Sequence, residues 1–136
     1  MRTFDWLLEF GDLDWLAILV GTVVAMVLGF VWYGPLFGKI WARASGTSMV
    51  PSPEPGQLVL TAVYFFVFNI GLAYLGAIDD FEHALVTAII VGLLLVAPAL
   101  FSATVWAKKS PTVFLIDAVH WIVVTLACVY VQGLFV

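Results

Sequence analysis

The sequence predicts an all-α, polytopic transmembrane protein: a four-helix bundle with its N-terminus and C-terminus outside the cytoplasm. Three observations predict it. Hydrophobic residues make up 64% of the 136-residue chain and charged residues 10%, against roughly 45–50% and 25% in soluble domains, so a water-facing surface cannot be built from this composition. Four long apolar runs follow one another with polar connections between them, and each approaches the roughly 20 residues a helix needs to cross a bilayer. The connection after the first run holds Lys39 and Arg43 and the one after the third holds Lys108 and Lys109, whereas the one after the second holds Asp79, Asp80 and Glu82. Cations collect on the cytoplasmic side, which puts both basic connections there and both termini opposite.

Composition also excludes whole classes of function. Five Lys and Arg and a formal charge of −4 cannot make the basic stripe that nucleic acid needs, and the chain contains no glycine-rich phosphate loop. Cys128 is the single cysteine, so neither an intrachain disulfide nor a cysteine-ligated zinc or iron–sulfur site can form within one chain. No cofactor and no metal is expected. The mean hydropathy of +1.14 places the chain in a lipid bilayer as one membrane domain. Acidic residues follow Met1 and Arg2, the wrong charge for the basic region of a cleaved signal peptide, and the N-terminus is expected to be retained.

The elements follow in order. Residues 4 to 10 set Phe4, Trp6, Leu7, Leu8 and Phe10 among acids, either a short amphipathic segment at headgroup level or a frayed tail. Residues 15–33 carry no charge and would span about 28 Å as a helix. In this first helix Gly21, Ala25 and Gly29 recur every fourth residue, a small-xxx-small stripe expected to pack against another helix. Pro35 should end or kink the helix near Gly34. Residues 43–57 are rich in Ser, Thr, Pro and Gly and read as a mobile loop. The second helix is expected over 58–78 and the third over 84–107, joined by so few residues that they should form a tight antiparallel hairpin. Ala84, Ala88 and Gly92 repeat the small stripe, and Pro98 predicts a kink by freeing the carbonyl of Leu94. Ser110 and Pro111 supply an N-cap and first-turn proline for the fourth helix, 112–134.

The stretch Trp32-Tyr33-Gly34-Pro35-Leu36-Phe37-Gly38-Lys39, followed by Trp41, resembles the hallmark of a family of small prokaryotic four-helix membrane proteins known as domain of unknown function family 1761. The likeness runs over almost the whole chain and includes an acidic residue near the start of the last helix, which Asp117 matches. It implies a fold class and a membrane location, and no activity, cofactor or substrate.

The chemistry-bearing residues cluster. Asp117 and His120 lie one turn apart on the last helix, and a carboxylate at membrane depth costs on the order of 3 kcal/mol on insertion scales. Either the two act as a proton or cation relay, or Asp117 is a buried structural pair with Lys39 or Tyr33. Counted by depth, Tyr64 and Asn69 fall at similar levels from the cytoplasmic side, so Asp117, His120, Tyr33, Lys39, Tyr64 and Asn69 are candidates for one polar pocket in the cytoplasmic half. Thr61, Ser102 and Thr104 are instead expected to bond to their own helix carbonyls. Trp15, Trp32, Tyr33, Trp41 and Trp106 read as interfacial anchors, and Trp121 as a core or lipid-facing filler or a pocket wall. Asp79, Asp80, Glu82 and His83 read as a solvated turn rather than a divalent-cation site.

The resulting expectation is an integral membrane protein that binds or passes a small solute or ion through that pocket, with Asp117 and His120 titrating. The alternative is a structural or accessory subunit of a larger membrane complex. An enzyme is not expected, since no nucleophile–base pair or metal triad is present. The small stripes point to a homo-oligomer or to assembly with a partner in the bilayer.

Overall fold

The structure is a computed structural model and describes residues 13–47, 53–75 and 80–135. The segments 4–10 and 48–52, and Asp79, lie outside the described residues. Every element is helical: α1 (Trp15–Val31), a π-turn (Trp32–Leu36), α2 (Gly38–Ser45), α3 (Pro55–Tyr74), α4 (Phe81–Ile89), a second π segment (Ile90–Val96), α5 (Ala97–Trp106) and α6 (Pro111–Gly133). Among the described residues, four stretches are long and apolar enough to cross a membrane: Trp15–Leu36, Pro55–Tyr74, Phe81–Trp106 and Pro111–Gly133. Leucines, valines and isoleucines stand exposed on all four, the surface of a protein solvated by lipid.

Local chemistry sets the boundaries. Asp14 caps α1, its Oδ1 accepting from the Ala17 N–H at 3.1 Å, and Ser110 caps α6 by accepting from the Thr112 N–H at 3.2 Å. Asp80 caps α4 through the His83 N–H at 3.0 Å. That bond, with a second to the His83 ring, holds the Asp80 carboxyl below the usual carboxylate range. The second span begins at Pro55 rather than at residue 58, because Gln57 reaches back to accept from the Glu54 N–H at 2.9 Å and Pro55 takes a first-turn position. Residues 43–45 and 55–57, expected in the loop, are therefore helical.

Both prolines act through π geometry. Pro35 lacks an N–H, and the Phe37 N–H reaches back five residues to the Trp32 carbonyl at 2.8 Å, so the chain widens for one turn and then turns into α2 instead of stopping. Ahead of Pro98 the stretch Ile90–Val96 is π-helical, which absorbs the missing backbone bond inside one continuous span.

α6 is the centre of the molecule. α1 packs on one side of it, the third span on another, and α3 packs chiefly on α1. The core gathers Ala25, Phe65, Leu72, Ala84, Val124, Cys128 and Val129 from α1, α3, α4 and α6. The expected hairpin of second and third helices is not a packed pair. α3 and the third span share no packed flank, because the smooth stripe of Ala84, Ala88 and Gly92 is taken up by α6. A Cβ on Gly92 would stand 2.5 Å from Ile122 Cγ1 and 2.9 Å from its Cα.

The stripe on α1 divides in two. A Cβ on Gly21 would lie 2.2 Å from Asn69 Oδ1, and Ala25 is fully buried, whereas a Cβ on Gly29 would meet nothing within 4 Å. Gly29 therefore opens space rather than closing a contact, contrary to the packing role expected for it. Gly21→Ala is expected to lower stability in detergent by about 1–3 kcal/mol through overpacking, while Gly29→Ala stays neutral or gains up to about 1 kcal/mol in helix propensity. Denaturant unfolding followed by circular dichroism measures both, and equal losses would contradict this packing.

Candidate functional site

At the end of the bundle where Lys39, Arg43, Lys108 and Lys109 lie, here called the basic end, the octapeptide and α6 form one hydrogen-bonded unit. Tyr33 donates its hydroxyl to Asp117 Oδ1 at 2.5 Å. The Trp41 indole N–H donates to the same oxygen at 3.1 Å, and the Trp32 indole N–H donates to the Ile116 carbonyl at 3.2 Å. Three aromatic donors thus hold two successive residues of α6. The π-turn makes this possible by presenting Trp32 and Tyr33 together, and α2 then folds back to bring Trp41 alongside.

Glycine is required at one point of that return. A Cβ on Gly38 would sit 2.4 Å from the backbone oxygen of Tyr33, so any other residue would push α2 away from the π-turn. Ring packing adds to the fit: Trp32 and Phe37 lie 4.6 Å apart, and Tyr33 meets Trp41 edge-on at 5.9 Å. Trp32, Tyr33 and Trp41, expected as interfacial anchors, point their polar atoms into the protein. An aromatic–glycine–proline string is compatible with either role, and only the position of α6 distinguishes them.

His120 stands one turn along α6, 4% exposed, in a box of rings. Tyr33 approaches its edge at 5.0 Å, Trp32 at 5.8 Å, Phe65 at 6.4 Å and Trp121 at 6.0 Å. Neither ring nitrogen has a hydrogen-bond partner among the described residues. The expected Asp117–His120 pair does not form, because Asp117 is satisfied from the α1–α2 side and Tyr33 packs its ring against the imidazole. Nor does Lys39 pair with Asp117. It is exposed, and the ion pair found among the described residues is His83 with Asp80.

Beside His120 lies a cavity of about 370 Å³. Met26, Gly29, Phe30, Tyr33 and Gly34 line it from α1 and the π-turn, and Gln57, Leu58, Thr61, Tyr64 and Phe65 from α3, with Pro53 at its rim. Tyr33, Tyr64 and His120 thus share it, and Asp117 and Lys39 do not line it. Thr61 donates its hydroxyl to the Gln57 carbonyl of its own helix at 2.7 Å, and Thr104 likewise donates to the Leu100 carbonyl at 3.3 Å.

Asn69 belongs elsewhere. It is fully buried at the opposite end of the bundle, where its amide donates to the Phe65 carbonyl at 2.9 Å and its Oδ1 accepts from Gln132 at 2.9 Å. Starting the helix at Pro55 instead of 58 moves every residue of α3 about 4.5 Å further from the basic end. Neither Gln132 nor the contact of the Cys128 thiol, which donates to the Gly21 carbonyl at 3.5 Å, was expected from the sequence, and a Gln directly before the last glycine offers no signal of its own. No group of three or more His, Cys, Asp or Glu able to hold a metal occurs among the described residues.

The unit around Asp117 predicts a measurable coupling. Tyr33→Phe and Asp117→Leu, made singly and together, should show a coupling energy of about 1–3 kcal/mol in unfolding experiments. Lys39→Ala should stay within about 0.5 kcal/mol of wild type. Additive effects at Tyr33 and Asp117 would break the unit apart.

A family model described as a protein of unknown function (DUF1761) matches residues 16–133, a span that contains the octapeptide, Asp117, His120 and both polar clusters. Among curated proteins and among solved structures nothing matches.

Proposed function

The chain belongs to the DUF1761 family of proteins of unknown function, and from that premise we propose that this integral membrane protein binds a small solute in the cavity beside His120. The single observation that carries the reading is the cavity itself. About 370 Å³ of space lies between α1 and α3, bordered by the rings of Phe30, Tyr33, Tyr64, Phe65 and His120, within the range of about 300–1,000 Å³ in which ligand sites fall.

Among the described residues the lining contains no Asp, Glu, Lys or Arg, which favours a neutral solute over an ion. Binding is favoured over passage, because Ala25, Phe65, Val124 and Cys128 fill the core between the cavity and the end where α3 closes on Asn69. Assembly, with further copies or with another membrane subunit, is a second reading. It is supported by the third span, which packs chiefly on α6 and leaves Leu93, Leu94, Leu95, Phe101 and Val105 exposed. The resemblance to small prokaryotic membrane proteins supports the prokaryotic plasma membrane as location.

Native mass spectrometry of the chain purified in mild detergent tests the reading. Wild type is expected to carry a non-covalent small molecule, and Gly29→Leu, which fills the cavity from α1, to lose it while helicity and monodispersity stay unchanged. Retention of the same molecule by Gly29→Leu would rule the cavity out.

Sidedness follows from the cations. With the basic end in the cytoplasm, single cysteines placed at Thr47 and Glu82 in a Cys128→Ser background should label from opposite faces of intact cells, Glu82→Cys from outside. Labelling of both from outside would overturn this topology.

A further inference from the structure

Resting on the reading of this cavity as a binding site, we propose that its ligand is one hydrocarbon chain of a membrane phospholipid, which enters sideways between α1 and α3 and lies along them.

The polar groups of the lining are largely spent on the protein itself. Tyr33 donates to Asp117, Gln57 Oε1 accepts from the Glu54 N–H, and Thr61 donates to the Gln57 carbonyl. Both ring nitrogens of His120 are shut off from the space that its ring borders. A guest therefore meets mostly carbon: the rings of Phe30 and Phe65, the side chains of Met26 and Leu58, and the bare backbone of Gly29 and Gly34. No charged side chain lines the space among the described residues, so a guest that carried a charge or several hydroxyls into it would lose their hydration without replacement. A hydrocarbon chain leaves nothing unmet.

Shape points the same way. Met26, Gly29 and Tyr33 line the cavity from the first span and Leu58, Thr61 and Phe65 from α3, in both cases at the steps of three and four residues that share one face of a helix. Such a stretch rises about 10 Å, so the space is a slot running along both helices. An acyl chain in a bilayer runs in that direction too, with its headgroup at the level where the slot reaches Gln57 and the start of α3. The slot, at about 370 Å³, is more than twice the roughly 150 Å³ of an apolar cavity that stays dry and takes up benzene. Left empty, its walls would forgo dispersion contacts that a chain supplies.

The way in is lateral. Phe30 is 52% exposed and Tyr64 46% exposed, and no atom comes within 4 Å of a Cβ placed on Gly29 or Gly34, so the α1 side of the slot stands open. Phospholipid chains are the solvent at that edge.

The experiment is native mass spectrometry of the full chain, stripped of lipid in a steroid-based detergent that brings no alkyl chain of its own. Three probes are then titrated: dioleoyl phosphatidylcholine, oleate and 2-naphthol. The phosphatidylcholine is expected to bind saturably, one per chain, and most tightly of the three. Gly29→Leu, filling the slot from α1, should weaken it about tenfold or more, and Thr61→Phe, filling it from α3, makes the same comparison should Gly29→Leu not fold. Val27→Leu, exposed and outside the slot, should bind as wild type does. Undiminished binding by both filled variants, or an equal loss in Val27→Leu, would overturn the site. Tighter binding of oleate would overturn the phospholipid as the source, and displacement of the phosphatidylcholine by 2-naphthol would overturn the chain. If wild type as purified carries a small molecule other than a lipid that Gly29→Leu loses, and the stripped chain takes up no phosphatidylcholine, the lipid assignment falls and the cavity reading stands. If it carries nothing and takes up nothing, both fall.

Discussion

Asp117 can lie within a membrane helix only because donors from another part of the chain meet it, and most of the architecture at the basic end follows from that need. A carboxyl group at membrane depth costs on the order of 3 kcal/mol on insertion scales. Here one of its oxygens accepts from both Tyr33 and Trp41. Bringing two donors eight residues apart onto one atom requires the first helix to widen at Pro35, turn at Phe37, and return so closely that residue 38 has no room for a side chain. The octapeptide is the sequence of that return. Its reach also fixes the ring of Tyr33 against His120, so the residue that satisfies the carboxyl also walls the cavity.

The opposite end is held differently. Asn69, Gln132, Gly21 and Cys128 join α3, α6 and α1 through buried polar contacts, and the missing side chain of Gly21 is what admits the amide of Asn69. α3 is therefore tied to its neighbours by hydrogen bonds at one end. At the other, its polar residues bond within α3 and its cap, Gln57 to the Glu54 N–H and Thr61 to the Gln57 carbonyl, and the cavity separates it from α1. The space beside His120 lies between α1 and α3 on the side away from that clamp.

Pairing preferences among the spans have a common physical origin. Lipid removes the hydrophobic incentive for helices to associate, so close backbone approach and hydrogen bonds decide which faces meet. α6 offers both kinds of surface. It takes the smooth Ala84, Ala88 and Gly92 face of the third span against Ile122, and it carries Asp117 and Gln132 for the polar contacts. α3, with neither a smooth face toward the third span nor a polar residue aimed at it, packs on α1 instead, although the chain connecting it to α4 is short.

Much of this was legible in residue order alone. Four apolar runs of membrane length, Ser110 and Pro111 at the start of α6, and the placement of Asp117 and His120 one turn apart on that helix all follow from chemistry that acts locally or along one helix. Such features need no knowledge of neighbours. The partners of those residues were another matter. That Asp117 takes Tyr33 and Trp41 and leaves His120 unpaired, that Asn69 faces Gln132 instead of the cavity, and that Gly29 opens a space where Gly21 closes one depend on rotation and depth of helices relative to each other. A single helix reports its own period but not its angle about its axis in the bundle, and a shift of three residues in the start of α3 moves a side chain by about 4.5 Å, enough to carry it from one cluster to another. Composition and periodicity therefore determined the membrane, the spans and the residues worth asking about, while tertiary packing alone decided which of them meet, because side-chain partnership in a bilayer is set by the faces that neighbouring helices present.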